Sequence, residues 1–252
     1  MALYLLVFSP TGGTQKVSEA LLKGFDEPYK TVDCLKQADL SALPFQKDDV
    51  CLAAAPSFGG RLPQLFEKRL QTLRGNGARA VPVVVCGNRA YEDTLIELSD
   101  LLTAAGFSCF AGVAAVAEHS IFRQFAAGRP DTEDCAALLR FGQAIQQKLQ
   151  SGDANPLVFP GNRPYKPLKD SPMKPQGTDV CVACGTCAKE CPAGAIPKET
   201  PKMTDSALCI SCMRCIAVCP VGARKNDDAL LGATLERLTP LCAGRKENKL
   251  FL

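Results

Sequence analysis

Eight of the chain's fourteen cysteines crowd into residues 181–219, in two runs that repeat at a constant offset of 28 residues. The first run is CVACGTCAKECPAGA, opening at Cys181, and the second is CISCMRCIAVCPVGA, opening at Cys209. All four cysteines, the proline, the glycine and the alanine that follows it coincide. Each run reads C-x2-C-x2-C-x3-C-P. Three thiolates two residues apart can wrap a tight loop around one face of an iron–sulfur cubane, with backbone N–H groups turned toward its sulfurs. The fourth cysteine opens a short helix that leads away, and the proline behind it restrains that turn. Zinc prefers a different pattern, with C-x2-C pairs separated by a longer loop and four ligands to one ion. Two triplets, each backed by a C-P cysteine, do not follow it. The repeat points to one-electron chemistry on two 4Fe–4S clusters.

Residues 178–225 resemble the two-cluster bacterial ferredoxins. In that family the fourth cysteine of each run ligates the other cluster. The resemblance implies one cluster on Cys181, Cys184, Cys187 and Cys219, and a second on Cys209, Cys212, Cys215 and Cys191. Such crossing holds the two within electron-transfer range. The earlier cysteines, Cys34, Cys51, Cys86, Cys109 and Cys135, have scattered spacing and read as buried core thiols. Cys242 has no partner motif. Arg214, Arg224 and Lys225 flank the runs and read as surface charges, with potential tuning or docking of an acidic partner as the alternative.

A second chemistry is suggested near the start of the chain. The run SPTGGT, Ser9 to Thr14, follows an apolar stretch and precedes a helical pattern. A strand–loop–helix junction of this kind offers free N–H donors at the positive end of a helix. Ser9, Thr11 and Thr14 add hydroxyls, and Gly12 and Gly13 permit close approach. No G-K-S/T follows, which disfavours a nucleoside triphosphate, and no G-x-G-x-x-G marks a dinucleotide. A monophosphate fits better. Two further loops fall at strand ends. APSFGGRLP brings Pro56, Ser57, Phe58, Gly59 and Gly60, and CGNRAYED brings Gly87, Asn88, Arg89, Tyr91 and Asp93. Phe58 and Tyr91 could flank a flat ring.

These loops must be positioned by regular elements. Apolar runs at 3–8, 29–34, 50–55, 80–86 and within 107–116 read as strands. Helical patterns fill 14–25, 62–73, 91–105 and 132–150. Leu62, Leu65, Phe66, Leu70 and Leu73 have i, i+3, i+4 spacing. Near-continuous apolar strands are buried on both faces, which predicts a five-stranded doubly wound parallel sheet with ligands at its carboxyl edge. The stretch 35–49 is short and polar with Pro44, so its helix is expected to be truncated or absent. Residues 152–177 carry Pro156, Pro160, Pro164, Pro167, Pro172 and Pro175 and read as a semi-rigid connector packed on the surface. The expected division is 1–151 for the α/β domain, 152–177 for the connector, and 178–252 for a small α+β cluster domain with a mostly helical tail.

Residues 1–150 resemble flavodoxins. T-x-T-G-x-T is the FMN phosphate loop of that family, matched by Ser9, Thr11, Gly12 and Thr14, with Ser in the first Thr position. Gly87 to Tyr91 looks like the third flavin loop of flavodoxin-like domains fused to ferredoxins, and the whole chain resembles such fusions. The resemblance implies non-covalent FMN with its dimethylbenzene edge near the surface. The chain has no Trp, so Phe58 or Tyr91 must take the place of the stacking Trp found in many flavodoxins. His119, the only histidine, follows the fifth strand. It reads as a surface or neighbouring residue, with proton relay to reduced flavin as the functional alternative, shared with Tyr91. Arg61 and Arg89 read equally as solvated loop residues and as counter-charges to flavin or phosphate.

Bulk composition excludes other classes. A net charge of +3 gives no argument for nucleic acid, and no apolar run reaches membrane-spanning length. Without a basic leader pattern at the start, the expectation is a cytoplasmic protein whose dense cysteines bind metal instead of forming disulfides. The expected role is an electron carrier between FMN, two clusters and redox partner proteins of an anaerobic or microaerobic metabolism. A flavin-dependent reductase of a small molecule is the runner-up, and an oxygen-sensing adaptor is the weaker third. No nicotinamide site is visible. Donor, acceptor and oligomeric state are open.

Overall fold

The computed structural model describes residues 1–153 and 157–252. Of the connector's prolines, Pro156 lies outside the described residues. The chain begins with β1 (Leu3–Val7), whose five residues are all buried. It continues through α1 (Gly13–Leu22), β2 (Tyr29–Asp33), β3 (Val50–Pro56), α2 (Gln64–Leu70), β4 (Arg79–Cys86) and α3 (Thr94–Ala104). The predicted fifth strand breaks into β5 (Ser108–Cys109) and β6 (Gly112–Val116), followed by α4 (Thr132–Gln150). The order β2-β1-β3-β4-β6, all parallel, is the doubly wound flavodoxin-like order. Its carboxyl edge collects the loops after β1, β3, β4 and β6.

Two apolar layers hold the sheet. Val17, Leu21, Leu138 and Ile145 bring α1 and α4 onto one face. Phe66, Leu70, Leu95 and Leu98 bring α2 and α3 onto the other. The α1–α4 approach requires glycine, since a Cβ on Gly142 would lie 2.1 Å from the Leu21 carbonyl. No helix intervenes between β2 and β3. Leu40 and Phe45, both fully buried, plug the core there instead, with the Phe45 ring 4.6 Å from Tyr4 and 5.0 Å from Phe107.

From Phe159 onward the connector is held at several points. Asp93 accepts from Asn162 and Lys166, Asp100 accepts from Arg163 and Tyr165, and Phe159 is buried against Gly112. The cysteine unit contains α5 (Thr186–Glu190), α6 (Arg214–Ala217) and a small antiparallel pair, β7 (Gln176–Gly177) with β8 (Arg224–Lys225). Its repeat extends to the backbone. Ala183 and Gly185 have positive φ, and so do Ser211 and Met213, 28 residues on. Met213 adopts at φ 61° a conformation that glycine serves in the first run.

The tail is only partly helical. After α7 (Asp228–Leu238) the chain returns to the first unit, and β9 (Lys249–Phe251) pairs antiparallel with β6. With β5 and β9 the sheet has seven strands where five were expected. Edge strand β6 has unpaired backbone groups on its outer side, and the tail satisfies them.

Candidate redox sites at the cysteine unit and the sheet edge

Two cavities divide the eight clustered thiols. One is lined by Cys181, Cys184, Cys187 and Cys219. The other is lined by Cys191, Cys209, Cys212 and Cys215. Each takes three cysteines from one run and the fourth from the other. Among the described residues no three His, Cys, Asp or Glu groups converge closely enough for a single metal ion. Four cysteines lining one cavity is the ligand number that an iron–sulfur cluster takes.

The local electrostatics separate the thiols. Burial raises those of Cys187, Cys209, Cys212 and Cys215, with Cys212 pushed up to about 12. Buried thiols of this kind ionise at neutral pH only against a cation, which a metal cluster supplies. Slight burial of Cys219 is outweighed by surrounding backbone N–H groups, which lower its thiol. The Ala223 N–H donates to Cys219 Sγ at 3.1 Å, and its repeat equivalent, Ala195 N–H, donates to Cys191 Sγ at 3.3 Å. Cys184 is exposed and lowered by its hydrogen bonds with Thr186.

At the sheet edge the first loop has the makings of an anion cradle. The N-cap of α1 is Gly12, which has no side chain to cap it and, at φ 90°, has nothing within 4 Å of where a Cβ would stand. Ser9 Oγ accepts from the Gln15 N–H at 2.9 Å and orders the turn, Thr14 is buried, and Thr11 is exposed. Gly59 likewise faces open space, and Phe58 and Tyr91 are half-buried.

Other predicted flavin-loop side chains are engaged with the chain itself. Ser57 Oγ bonds Thr94 at 2.7 Å. Gly60 is pressed against Glu92, which pairs with Arg89 and Lys166. Asn88 is buried and donates at 2.7 Å to the carbonyls of Cys242 and Gly244, while accepting from the Lys246 N–H. Asp93 holds the connector. Arg61 is not a solvated loop residue: it binds Glu97 through two bonds and lies 4.9 Å from the Tyr165 ring. His119 packs against Gly87, and its Nδ1 accepts from the N–H groups of Ile121 and Phe122. Burial, aided by the charge of Arg89, lowers it to about 4. It is neutral near pH 7 and offers no imidazolium proton there.

The cysteine unit sits on this same edge. Arg214, between Cys212 and Cys215, donates to the Pro10 carbonyl at 3.3 Å and pairs with Glu190 at 2.5 Å. Arg69 of α2, buried over the Phe8 ring, donates to the carbonyl of Pro192, the neighbour of Cys191. Ile210 packs on the layer that holds Phe66 and Leu70. Phe122 and Phe125 from the loop after β6 meet Met173, Met213 and Cys242, with α7 covering them. None of these contacts had a sequence signal beyond an isolated arginine or aromatic residue. Arg224 corrects the surface reading outright, being 2% exposed.

Residues 180–224 match a family model described as a 4Fe-4S dicluster domain. No curated protein matches the chain. Among solved structures, a flavodoxin from the domain Archaea is 14% identical with a TM-score of 0.44, over 60% of this chain and 99% of its own. Oxidised Flavodoxin 1 from Bacillus cereus is 16% identical with a TM-score of 0.42, over 58% of this chain and 96% of its own. Rubredoxin oxygen:oxidoreductase from Desulfovibrio gigas is 16% identical with a TM-score of 0.41, over 60% of this chain and 35% of its own. The flavodoxin-like assignment rests on the strand order itself. The chain thus joins an α/β unit of flavodoxin-like strand order to a segment, residues 180–224, that matches a 4Fe-4S dicluster domain model.

Proposed function

We propose that this is an electron-transfer flavo–iron–sulfur protein, passing electrons between an FMN at the α/β edge, two 4Fe–4S clusters and partner redox proteins. The observation that carries the reading is the contact of Arg214 with Pro10, which sets the second thiol set against the candidate phosphate loop. The first set lies at the other end, beside the exposed Val182 and Val221, where a partner can approach. Electrons would pass from the α/β edge through the Cys191 set to the Cys181 set, or in reverse. FMN, when bound, supplies exchange between two-electron and one-electron transfer. The protein's residues hold and orient. The free N–H groups of α1, with Ser9, Thr11 and Thr14, would take the phosphate, and Phe58 and Tyr91 would flank the ring. All fourteen cysteines are free, which suits a reducing, cytoplasmic setting. No helix among the described residues is long and apolar enough to cross a membrane.

The test is cofactor content after anaerobic purification. About eight iron, about eight sulfide and about one FMN per chain are expected for two cubanes and a flavin site. Iron and sulfide at that level with no FMN retained, even after FMN is added, would remove the flavin half of the reading.

A further inference from the structure

One residue past the end of the two runs, a buried position changes character. Arg224 stands where the first run has Ile196, 28 residues earlier. Ile196 lines the cavity of the Cys191 set, and Arg224 lines that of the Cys181 set. The Arg224 guanidinium reaches across. Nη1 donates to the carbonyls of Pro201 and Lys202 at 2.8 and 3.0 Å. Nη2 donates to the Pro175 carbonyl and to Thr204 Oγ1, both in the wall of the other cavity. Nε has no partner.

All four acceptors are neutral, and among the described residues no carboxylate pairs with this cation. A fully buried, uncompensated charge is costly, so the fold would be expected to supply an anion nearby. The groups within reach that become anionic on binding metal are the thiols: Arg224 itself lines the cavity of the Cys181 set, and the partners of its Nη2, Pro175 and Thr204, line that of the Cys191 set. Arg214 makes the contrast, since it has its own carboxylate in Glu190.

We propose that Arg224 is the fixed counter-charge shared by both thiol sets, and that it raises the reduction potential of both clusters. The proposal rests on the reading that each set holds a 4Fe–4S cluster. A cluster on four thiolates is anionic in either oxidation state and gains one further negative charge when it accepts an electron. A nearby fixed cation stabilises the reduced form more than the oxidised one.

The experiment is an anaerobic redox titration of the full chain, followed by electron paramagnetic resonance, on wild type, Arg224→Gln and Arg224→Lys. Iron and sulfide are counted in each sample. Arg224→Gln keeps hydrogen-bond donors without the charge. It should lower the reduced-to-oxidised ratio at the wild-type midpoint about tenfold, a shift of about 59 mV for a one-electron couple. Arg224→Lys keeps the charge and should stay within about threefold of wild type. Fully loaded Gln and Lys variants with equal potentials would overturn the proposal. If the Gln variant fails to load, the Lys variant decides alone: a loaded Lys protein with a tenfold loss overturns it, and one close to wild type supports it. Wild type that binds iron for only one cluster would instead overturn the two-cluster reading, which the iron count reports separately.

Discussion

The α/β unit buries an apolar layer on each face of its sheet, with Leu5, Leu52, Phe8 and Phe66 among its fully buried side chains. The cysteine unit has no such layer. Its own buried cluster consists of Cys187, Ile196 and Cys215, two of which are candidate ligands. Between residues 178 and 226 the largest buried side chain is a charged one, Arg224. One unit is therefore held by hydrophobic burial, while the other is too small to be held that way and needs a cofactor as a staple. The difference also explains why the second unit is anchored at both ends. The connector leads into it along α3, and the tail carries the chain back to β6.

Loss of a cluster should separate the two units most strongly. In Cys212→Ser, or after iron chelation, amide exchange protection should collapse across residues 178–226 and persist in β1, β3 and β4, because metal binding and folding are one event in a unit of this kind. Simultaneous loss of protection in both regions would show that the α/β unit also depends on the clusters.

A smaller effect is expected where the units are tied. Asn88→Ala removes three hydrogen bonds and leaves the carbonyls of Cys242 and Gly244 without that partner. The expected cost is about 1–3 kcal/mol. Exchange should rise in residues 240–251 while the central strands keep their protection. Unchanged exchange in the tail would mean that β9 and the Arg245 contacts with Asp131 and Asp134 hold it alone.

The mildest test is pH. His119 falls from 6.5 to about 4 on folding because it is buried, with Arg89 adding to the shift. The unfolded chain therefore binds the extra proton between those values. Its contribution to stability is complete above pH 6.5 and is lost as pH falls from there toward 4, by about 1.4 kcal/mol per unit. Urea unfolding of the α/β unit, followed by circular dichroism between pH 7.5 and 5, should show this slope. His119→Asn, whose side-chain oxygen can accept the same two N–H groups, should lack it. An identical slope in the variant would assign the proton to another group.

Much of this architecture was legible from residue order. Near-continuous apolar runs dictated buried parallel strands, because only a sheet covered on both faces can use them. The Thr132–Gln150 helix kept its expected bounds because a capping box on Asp131 and Asp134 starts it. The cysteine repeat specified two equivalent loops, because ligand spacing is a local, covalent property of the chain, while the left-handed residues between the thiols came from the structure.

What only the tertiary structure decided concerns contacts between distant segments. Asn88 and Asp93 looked like flavin-loop residues and hold the tail and the connector. Arg61 looked like a loop charge and is locked to Glu97. Arg224 looked like a surface cation and lies between the two thiol cavities. In each case the residue type admitted both roles. The outcome depended on which carbonyl or carboxylate the fold carried to it from elsewhere in the chain. Hydrogen-bonding and charged side chains take their role from their nearest partner, and a partner tens of residues or more away leaves no periodicity in the sequence to read.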